Sequence, residues 1–318
     1  MKPGDFVEAR RRLEFKPAIT GDRLVSLSEA ASLVRDGDHV AIGGCLYSRT
    51  PLAMLMEIAR QGRRGLSLSR NLMCYEAEWF IAAGAVDTIV TSWMGIGLPW
   101  GLSRVLRDAV EGGQVRFEEW SHLGLGLRYR AAAMGVPFLP TLTMLGSDLM
   151  DVGGARTMTC PFTGETVCLV PALFPDVAVI HVQRADRLGN CQIDGYPHMD
   201  VDIALGAATV LVTAEKIVSE DEIRRYADRT AIAGFAVDAV VEVPFGSYPH
   251  ECYGLYEADF DHLEAYATQR SAKGADAVRE YADQYLYGVS THKQYLGLFG
   301  GRDVLDRQAR NARELVGP

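Results

Sequence analysis

Residues 41–51, which read AIGGCLYSRTP, place the pair Gly43–Gly44 between a short apolar run and a candidate helix. Two glycines at such a junction leave backbone N–H groups uncovered beside the positive end of a helix, where a phosphate, a carboxylate or a developing oxyanion can bind. The segment matches neither the GxGxxG pattern nor the P-loop, so it predicts no dinucleotide or nucleoside triphosphate site. The alternative is a tight strand-to-helix turn with no ligand.

A second candidate lies at residues 117–122, FEEWSH, ahead of another helical pattern. Ser121 is a suitable N-cap for a helix that opens at His122. Glu118, Glu119 and His122 would then line one crevice, in which a carboxylate and an imidazole could carry out acid–base chemistry. The alternative is a solvated helix start, at which acidic residues favour the helix dipole.

Other candidate groups have simpler interpretations. Cys45 follows the glycine pair, yet no base is identified for it, and a buried inert thiol is the simpler interpretation. The sequence has no GxSxG motif, no CxxC pair and no His pair at i, i+4 spacing, so neither a serine hydrolase nor a metal site is predicted. Asp200 and Asp202 are expected to cap and open a helix. Arg49 and Arg70 are possible anion partners or solvated surface residues.

The composition excludes several classes of function. The chain has 318 residues, of which 48% are hydrophobic and 23% charged, as expected for a globular protein with a sizeable core. Its net charge of −9 argues against a nucleic-acid-binding protein. No apolar run approaches the roughly 18 residues of a membrane helix, and the charged first residues do not resemble a signal peptide. We therefore expect a cytoplasmic protein with neither nucleic acid nor membrane as a partner.

Short apolar runs alternate with amphipathic segments, a pattern typical of an α/β protein with an open, mostly parallel sheet covered by helices. Strands are predicted from residue 39 into the glycine turn and at 66–69, 88–93, 136–139, 167–170, 177–183, 209–213 and 239–243. Helices are predicted at 27–35, 51–60 (with Thr50 as N-cap), 102–110, 122–134 and 200–207, and in the tail at 262–267, 275–287 and 303–315. We expect one α/β domain over residues 1–261 and a helical C-terminal extension over 262–318 packed on it.

Five segments, in this order, resemble the alpha subunit of the glutaconate CoA-transferase group of family I CoA-transferases. They are GDHVAIGG with the following RTP, EEWSHLGLGLRYRAAAMGVPFLPT with MLGSDL, VAVIHVQRADRLGN, DVDIALGAATVLVTAEKIVSEDEIRR and VDAVVEVPFGSYPHECYGLYEAD. Each segment is moderately specific. Together, at similar spacing and with the helical tail, they cover nearly the whole chain and identify it as a member of that family.

The resemblance implies an open α/β fold of the CoA-transferase type and an obligate partner, the CoA-transferase beta subunit, in an α2β2 heterotetramer. It implies that a glutamate of the beta subunit attacks an acyl-CoA thioester and forms an acyl–glutamyl anhydride and free CoA thiolate. The thiolate then forms a glutamyl-CoA thioester, and a second carboxylate collects CoA by the reverse steps. Coenzyme A is thus a substrate, as acyl-CoA, and no metal is expected. The implied function is movement of CoA between a small acyl-CoA, expected to be dicarboxylic, and a small carboxylic acid.

The resemblance also assigns site residues. Gly43 and Gly44 correspond to a glycine turn that faces the thioester and helps to hold its oxyanion, while Ser121 and His122 fall where the alpha subunit comes close to the acyl group. The nucleophile is expected on the partner chain, and His122 is the candidate catalytic residue of this one. The full set expected to bind substrate or oxyanion is Gly43, Gly44, Cys45, Ser48, Arg49, Asn71 and Ser121.

Two departures from the family pattern keep other activities open. Cys45 stands where an aromatic residue is usual, and residues 69–76 replace a glycine-rich stretch of glutaconate-specific chains, which disfavours glutaconate itself as the substrate. His122 could act as the general base of a CoA-ester C–C hydrolase or decarboxylase on the same scaffold. A third hypothesis is a non-catalytic binding subunit whose chemistry lies wholly in the partner.

Overall fold

The computed structural model describes residues 5–16, 21–97, 100–300, 305–310 and 312. Its strands are β1 (His39–Ile42), β2 (Leu66–Met73), β3 (Val86–Gly97), β4 (Gly101–Leu102), β5 (Arg116–Glu119), β6 (Phe138–Thr141), β7 (Arg156–Thr159), β8 (Thr166–Pro171), β9 (Val177–Ala185), β10 (Cys191–Gln192), β11 (Thr209–Ile217), β12 (Thr230–Ile232) and β13 (Ala239–Glu242). Its α-helices are α1 (Asp5–Glu14), α2 (Leu27–Ser32), α3 (Leu52–Arg60), α4 (Glu76–Ala82), α5 (Arg104–Glu111), α6 (His122–Ala133), α7 (Leu149–Val152), α8 (Asp200–Gly206), α9 (Glu220–Arg225), α10 (Phe260–Lys273), α11 (Ala275–Ala282) and α12 (His292–Gly297).

Parallel strands form the centre of the fold, in the order β13-β11-β9-β1-β2-β3-β5. Antiparallel additions are β4 beside the end of β3, and β10 with β12 beside the end of β9. The mostly parallel sheet predicted from the sequence is therefore confirmed. Its inner strands are nearly continuous apolar runs because helices cover both faces.

Side chains of the central strands alternate between two apolar cores. In β1, Val40 and Ile42 pack with residues of α2, α3 and α4, whereas Ala41 packs with residues of α6 and α8. Strand β9 alternates in the same way, with Val179 in the first core and Ile180 in the second. This period of two is the geometry of a strand that is buried on both faces.

A separate antiparallel sheet has the order β6-β8-β7. The pattern predicted two of its strands, at residues 136–139 and 167–170, but not that they pair outside the parallel sheet. Strand β6 begins at Phe138, two residues later than predicted, and it contains Pro140. Because proline cannot donate a hydrogen bond to a ladder, such a strand is suited to the edge position that β6 occupies.

Helix starts depend on capping groups, and the cap predicted for α3 is wrong. Ser103 caps α5, which begins two residues after the predicted position. At α3, Pro51 occupies the N-cap position without a side-chain hydrogen bond. The hydroxyl of Thr50, predicted to cap this helix, instead donates to the carbonyl of Leu46 at 3.0 Å and accepts from Arg70 at 2.9 Å. These tertiary contacts use the group that the local pattern assigned to the helix.

The C-terminal helices pack on the sheet domain. The buried carboxylate of Glu78 in α4 accepts hydrogen bonds from Arg270 at 2.9 Å, from the Tyr266 hydroxyl at 2.6 Å and from Ser103 at 2.6 Å. These bonds tie α4 and α5 to α10. Helices α10 and α11 and the π-helix Asp283–Tyr287 also share an apolar cluster with α3 and α4.

The helical tail expected after residue 262 is present, as α10, α11, the π-helix and α12. The predicted helix 303–315 lies partly outside the described residues, of which 305–310 are helical. Among the residues that the structure describes, no helix has the length and apolar character needed to span a bilayer.

Candidate active site

The chain builds the sheet outward in two directions from neighbouring strands. After β1 it proceeds through β2 and β3 to β5 at one edge, and after β9 it proceeds through β11 to β13 at the other. Strands β1 and β9 therefore form a topological switch point. In open parallel sheets, ligands bind in the crevice beyond the carboxyl ends of the strands at such a point. The pair Gly43–Gly44 directly follows β1 and lies at this position.

The glycine turn is locked by its own hydrogen bonds. The N–H of Gly43 donates to the carbonyl of Val179 at 2.8 Å, and the N–H of Gly44 donates to Asp200 Oδ1 at 2.6 Å. Gly44 has φ of +67°, and a Cβ atom there would lie 2.1 Å from the carbonyl oxygen of Ser48. The turn therefore requires glycine at this position. Both amide hydrogens expected to hold an oxyanion already have partners.

A buried ion pair between Arg49 and Asp200 stabilises the turn. The guanidinium of Arg49 donates to Asp200 Oδ2 at 2.5 Å, to the carbonyl of His181 at 3.0 Å and to that of Tyr196 at 2.9 Å. Both charged side chains are at most 1% exposed. The Arg49 side chain thus supports the turn and does not line the cleft described below. The prediction that Asp200 caps a helix is wrong, because Met199 occupies the N-cap position of α8 and the carboxylate faces the turn.

A second buried arginine extends this support. Arg70 donates to the carbonyl of Gly43 at 3.1 Å and to Glu76 Oε1 at 2.7 Å, and both side chains are fully buried. Of the two arginines considered as anion partners, neither is on the surface. Each neutralises a carboxylate of the same chain and helps to fix the glycine turn.

A cleft of about 540 Å³ lies beside the turn, at the carboxyl ends of β2, β3 and β5. Its lining residues are Leu46, Leu72, Ser92, Trp93, Glu119, Trp120, Ser121, His122 and Leu149. The structure thus brings Glu119 and His122 into one cleft, as predicted, and Ser121 lies there with them. The prediction that Glu118 lines the same crevice is wrong: it forms an ion pair with Arg128, because successive residues of a strand face opposite sides of the sheet.

The start of α6 places the imidazole in this cleft. Ser121 caps the helix as predicted, with its hydroxyl accepting from the N–H of Gly124 at 2.9 Å. His122 is the first helical residue and is exposed, with Nδ1 3.5 Å from Ser92 Oγ. Asn71 Nδ2 donates to the carbonyl of His122 at 3.0 Å. Asn71, one of the predicted site residues, therefore holds the helix start against β2.

Cys45 and Ser48 belong to the turn and do not line the cleft. The backbone N–H of each donates to the carbonyl of the other, at 3.0 and 2.8 Å, which closes the loop. Burial raises the pKa of the Cys45 thiol and so reduces its thiolate fraction. An inert thiol is the interpretation that this environment favours.

Sequence reasoning missed the apolar walls of the cleft and one histidine near the residues that support the glycine turn. Leu46, Leu72 and Trp93 come from three separate segments, and none carries a chemical signal of its own. His198 lies in the loop before α8 with a positive φ of 52°, a rare conformation outside glycine. Burial lowers its pKa to about 4, and the Asp200 carboxylate opposes that shift. Only the folded chain brings His198 into electrostatic range of Arg49, Arg70 and His122.

A buried cluster beneath the switch point contains three potential metal ligands. Atoms of His181, Glu215 and Cys252 lie within 4.8 Å of one another. The Glu215 carboxylate, however, accepts from His181 Nε2 at 2.8 Å, from the Tyr256 hydroxyl at 2.5 Å and from the N–H of Phe245 at 2.7 Å. Burial also raises the pKa of the Cys252 thiol. The carboxylate oxygens are thus used to hold the loop after β13 against β9 and β11.

Comparison with known proteins identifies the family of this chain. Residues 24–243 match the family described as Coenzyme A transferase. The chain is 32% identical over 302 residues to the alpha subunit of glutaconate CoA-transferase from Acidaminococcus fermentans, with 89% of this chain and 94% of that protein covered. It is 35% identical over 277 residues to the alpha subunit of 3-oxoadipate CoA-transferase from Pseudomonas knackmussii, with 86% and 96% covered.

Two solved structures share the architecture. The glutaconate CoA-transferase of A. fermentans matches with a TM-score of 0.83 at 33% identity, over 88% of this chain and 93% of that chain. The decarboxylase AibA/AibB matches with a TM-score of 0.73 at 32% identity, over 83% and 100%. The chain therefore belongs to the Coenzyme A transferase family and corresponds along its length to the alpha subunit, which confirms the resemblance drawn from its motifs.

Proposed function

We propose that this chain is the alpha subunit of a heteromeric CoA-transferase, which moves CoA between a small dicarboxylic acyl-CoA and a carboxylate acceptor. The observation that carries the proposal is the cleft at the carboxyl ends of β2, β3 and β5, which lies beside the glycine turn and has mainly apolar walls but is open to solvent. A reactive acyl intermediate must be kept from water. A second protein surface is therefore needed to close the site.

The residues of the cleft have roles that suit this chemistry. Ser92, Ser121 and His122 offer hydrogen bonds to the acyl group from three points of the wall. Because the N–H groups of Gly43 and Gly44 have other partners, we assign the turn a positioning role and not the role of an oxyanion hole. The apolar walls exclude water around the thioester.

We assign the nucleophilic carboxylate to the partner, the beta subunit. It attacks the thioester carbonyl, the C–S bond breaks, and CoA leaves as a thiolate while an acyl–glutamyl anhydride forms. The thiolate then attacks the glutamyl carbonyl and releases the donor acid, and an acceptor acid reverses both steps. Glu119 is the carboxylate of this chain that lines the cleft, so it is the internal competitor for this role.

Peptide mass spectrometry of the assembled enzyme separates the two carboxylates. With glutaryl-CoA and no acceptor acid, we expect a CoA adduct on a glutamate of the partner and an unmodified Glu119 peptide. The Glu119→Gln variant should still form that adduct. An adduct on Glu119, or turnover by this chain without a partner, would contradict the assignment.

One observation favours a second candidate function, a CoA-ester hydrolase or decarboxylase. His122 and Glu119 line the same cleft. His122 Nδ1 lies 3.5 Å from Ser92 Oγ, so a small side-chain rotation would allow proton transfer between these two groups. Similarity to the decarboxylase AibA/AibB adds support. Consumption of the CoA ester without any acceptor acid would favour this candidate over transfer. Full activity of His122→Ala would exclude a catalytic imidazole in either reaction.

We also propose that the enzyme is an α2β2 heterotetramer. The support is the open cleft together with the naming of the relatives as subunits. Native mass spectrometry of the co-expressed chains should give two copies of each. A stable single pair, or this chain alone, would contradict that stoichiometry.

A further inference from the structure

A second cavity of about 380 Å³ opens beside the cleft, and we call it the side pocket. The cleft and the side pocket share Ser92, Trp93 and Glu119, so they are adjacent. The volume of the side pocket alone falls within the range of small-molecule sites. A ligand in the cleft that extends past these three shared residues enters the side pocket.

The walls of the side pocket are mainly apolar. Met94 of β3 and Leu106 of α5 are buried, and Val110 of α5 and Phe117 of β5 are half-buried. Such a surface favours methylene groups over water. The middle of an acyl chain fits this environment, whereas a charge placed there would lose hydration.

One cation, Arg107, lines the side pocket. Among the described residues, the Arg107 side chain makes no hydrogen bond and no ion pair, and it is exposed. Arg104, on the same helix, instead lies 3.6 Å from Asp108. A guanidinium presents a planar pair of donors that matches a carboxylate. The end of the pocket at α5 is thus suited to an anionic group.

We propose that the side pocket binds the far end of the acyl group and that Arg107 determines specificity for a terminal carboxylate there. This inference rests on the proposed function, since it requires the thioester to lie in the cleft beside Ser121 and His122. The acyl chain then passes between Trp93 and Glu119, its methylene groups contact the apolar walls, and its terminal carboxylate meets the guanidinium.

Two carboxylates of the chain line the same space and repel an anionic ligand. Glu119 lies where the two spaces join, and Glu111 lines the side pocket on α5. Both repel a terminal carboxylate, so Arg107→Leu and Glu111→Gln should change kcat/KM for a dicarboxylic donor in opposite directions. A merely structural role of α5 would not produce opposite signs.

Two donors of equal length test the assignment in the assembled enzyme. Glutaryl-CoA and valeryl-CoA both carry five-carbon acyl chains, and they differ in ending with a carboxylate or a methyl group. Arg107→Leu should lower kcat/KM for glutaryl-CoA about tenfold, mainly through KM, and change valeryl-CoA by less than about twofold. Arg107→Lys should restore part of the loss. Arg104→Leu is the matched control on the same helix and should affect neither donor.

A second variant tests the cavity itself. Val110→Trp fills the side pocket and should slow both five-carbon donors while sparing acetyl-CoA, which does not reach it. Equal effects of Arg107→Leu on both five-carbon donors, or no effect on either, would overturn the inference while leaving transfer intact. A wild-type enzyme that uses valeryl-CoA but not glutaryl-CoA would also overturn it. Failure of the wild-type assembly to exchange CoA with any donor counts instead against the proposed function.

Discussion

Arg49→Met tests whether the glycine turn depends on a buried charge pair. Asp200 accepts from the N–H of Gly44 at 2.6 Å and from Arg49 at 2.5 Å, and both charged side chains are at most 1% exposed. The substitution leaves the carboxylate buried with one of these two donors, and it removes the donor to the carbonyls of His181 and Tyr196. Breaking a buried ion pair by removing one partner costs about 3–5 kcal/mol of folding free energy.

A second ion pair of α8 supplies the control. Arg130 lies 2.9 Å from Asp202, but its side chain is 58% exposed, so Arg130→Met should cost at most about 1 kcal/mol. Urea unfolding of the full chain, followed by circular dichroism, gives both free energies. Arg49→Met should also lower the midpoint of thermal unfolding by about 10 °C. The double variant Arg49→Met/Asp200→Asn should regain stability, because the neutral amide can still accept from Gly44 without a buried charge.

Equal losses for Arg49→Met and Arg130→Met would refute this reasoning, since the buried pair would then contribute no more than a surface pair. A double variant less stable than Arg49→Met would refute the second part. In that case the lost stability would come from packing of the guanidinium and not from an uncompensated carboxylate.

Three further predictions concern stability. Gly44→Ala should cost at least about 1–2 kcal/mol by thermal unfolding, because φ is +67° and the new Cβ would lie 2.1 Å from the Ser48 oxygen; an unchanged midpoint would contradict the described turn. The free energy of unfolding should fall as pH decreases from 6.5 towards 4. Burial lowers the pKa of His39 to about 4, so in this range the unfolded chain binds a proton that the folded chain does not. Urea titrations at about pH 7 and about pH 5 should show a smaller loss of unfolding free energy in His39→Gln than in the wild type. Arg270→Met should cost about 3–5 kcal/mol of folding free energy, because it leaves Glu78 buried without its cation. Hydrogen exchange should become faster in α10 but not in β9. Unchanged protection of α10 would contradict a role of Arg270 in holding this helix.

The parts of the fold that could be predicted from sequence are those whose cause is local. The apolar runs of β1 and β9 are buried on both faces, so their pattern is visible in a short window. The Ser121 cap depends on residues three positions apart. By contrast, the antiparallel pairing of β6 with β8 depends on a long-range contact, and the sequence pattern offered no sign of a separate sheet.

The candidate site was predictable to the same extent. Glu119, Ser121 and His122 are neighbours in the chain, so one segment carries them into the cleft. Asp200 and Arg49 are 151 residues apart, and each resembles an ordinary exposed charge until the fold buries both. Their pairing is a property of the tertiary structure, and no sequence spacing indicates it.

The glycine turn and the wall of the side pocket on α5 differ in how freely their residues can diverge among related enzymes. The glycine turn is held by the buried ion pairs of Arg49 with Asp200 and of Arg70 with Glu76, so a single change there destabilises the fold. On α5, Arg107, Val110 and Glu111 are exposed or half-buried, and their side chains make no hydrogen bond among the described residues. Substitutions at such positions change folding stability little. With the specificity that we propose for the side pocket, a lineage could acquire a new substrate preference by stepwise mutation of one helix face, without a compensating change elsewhere.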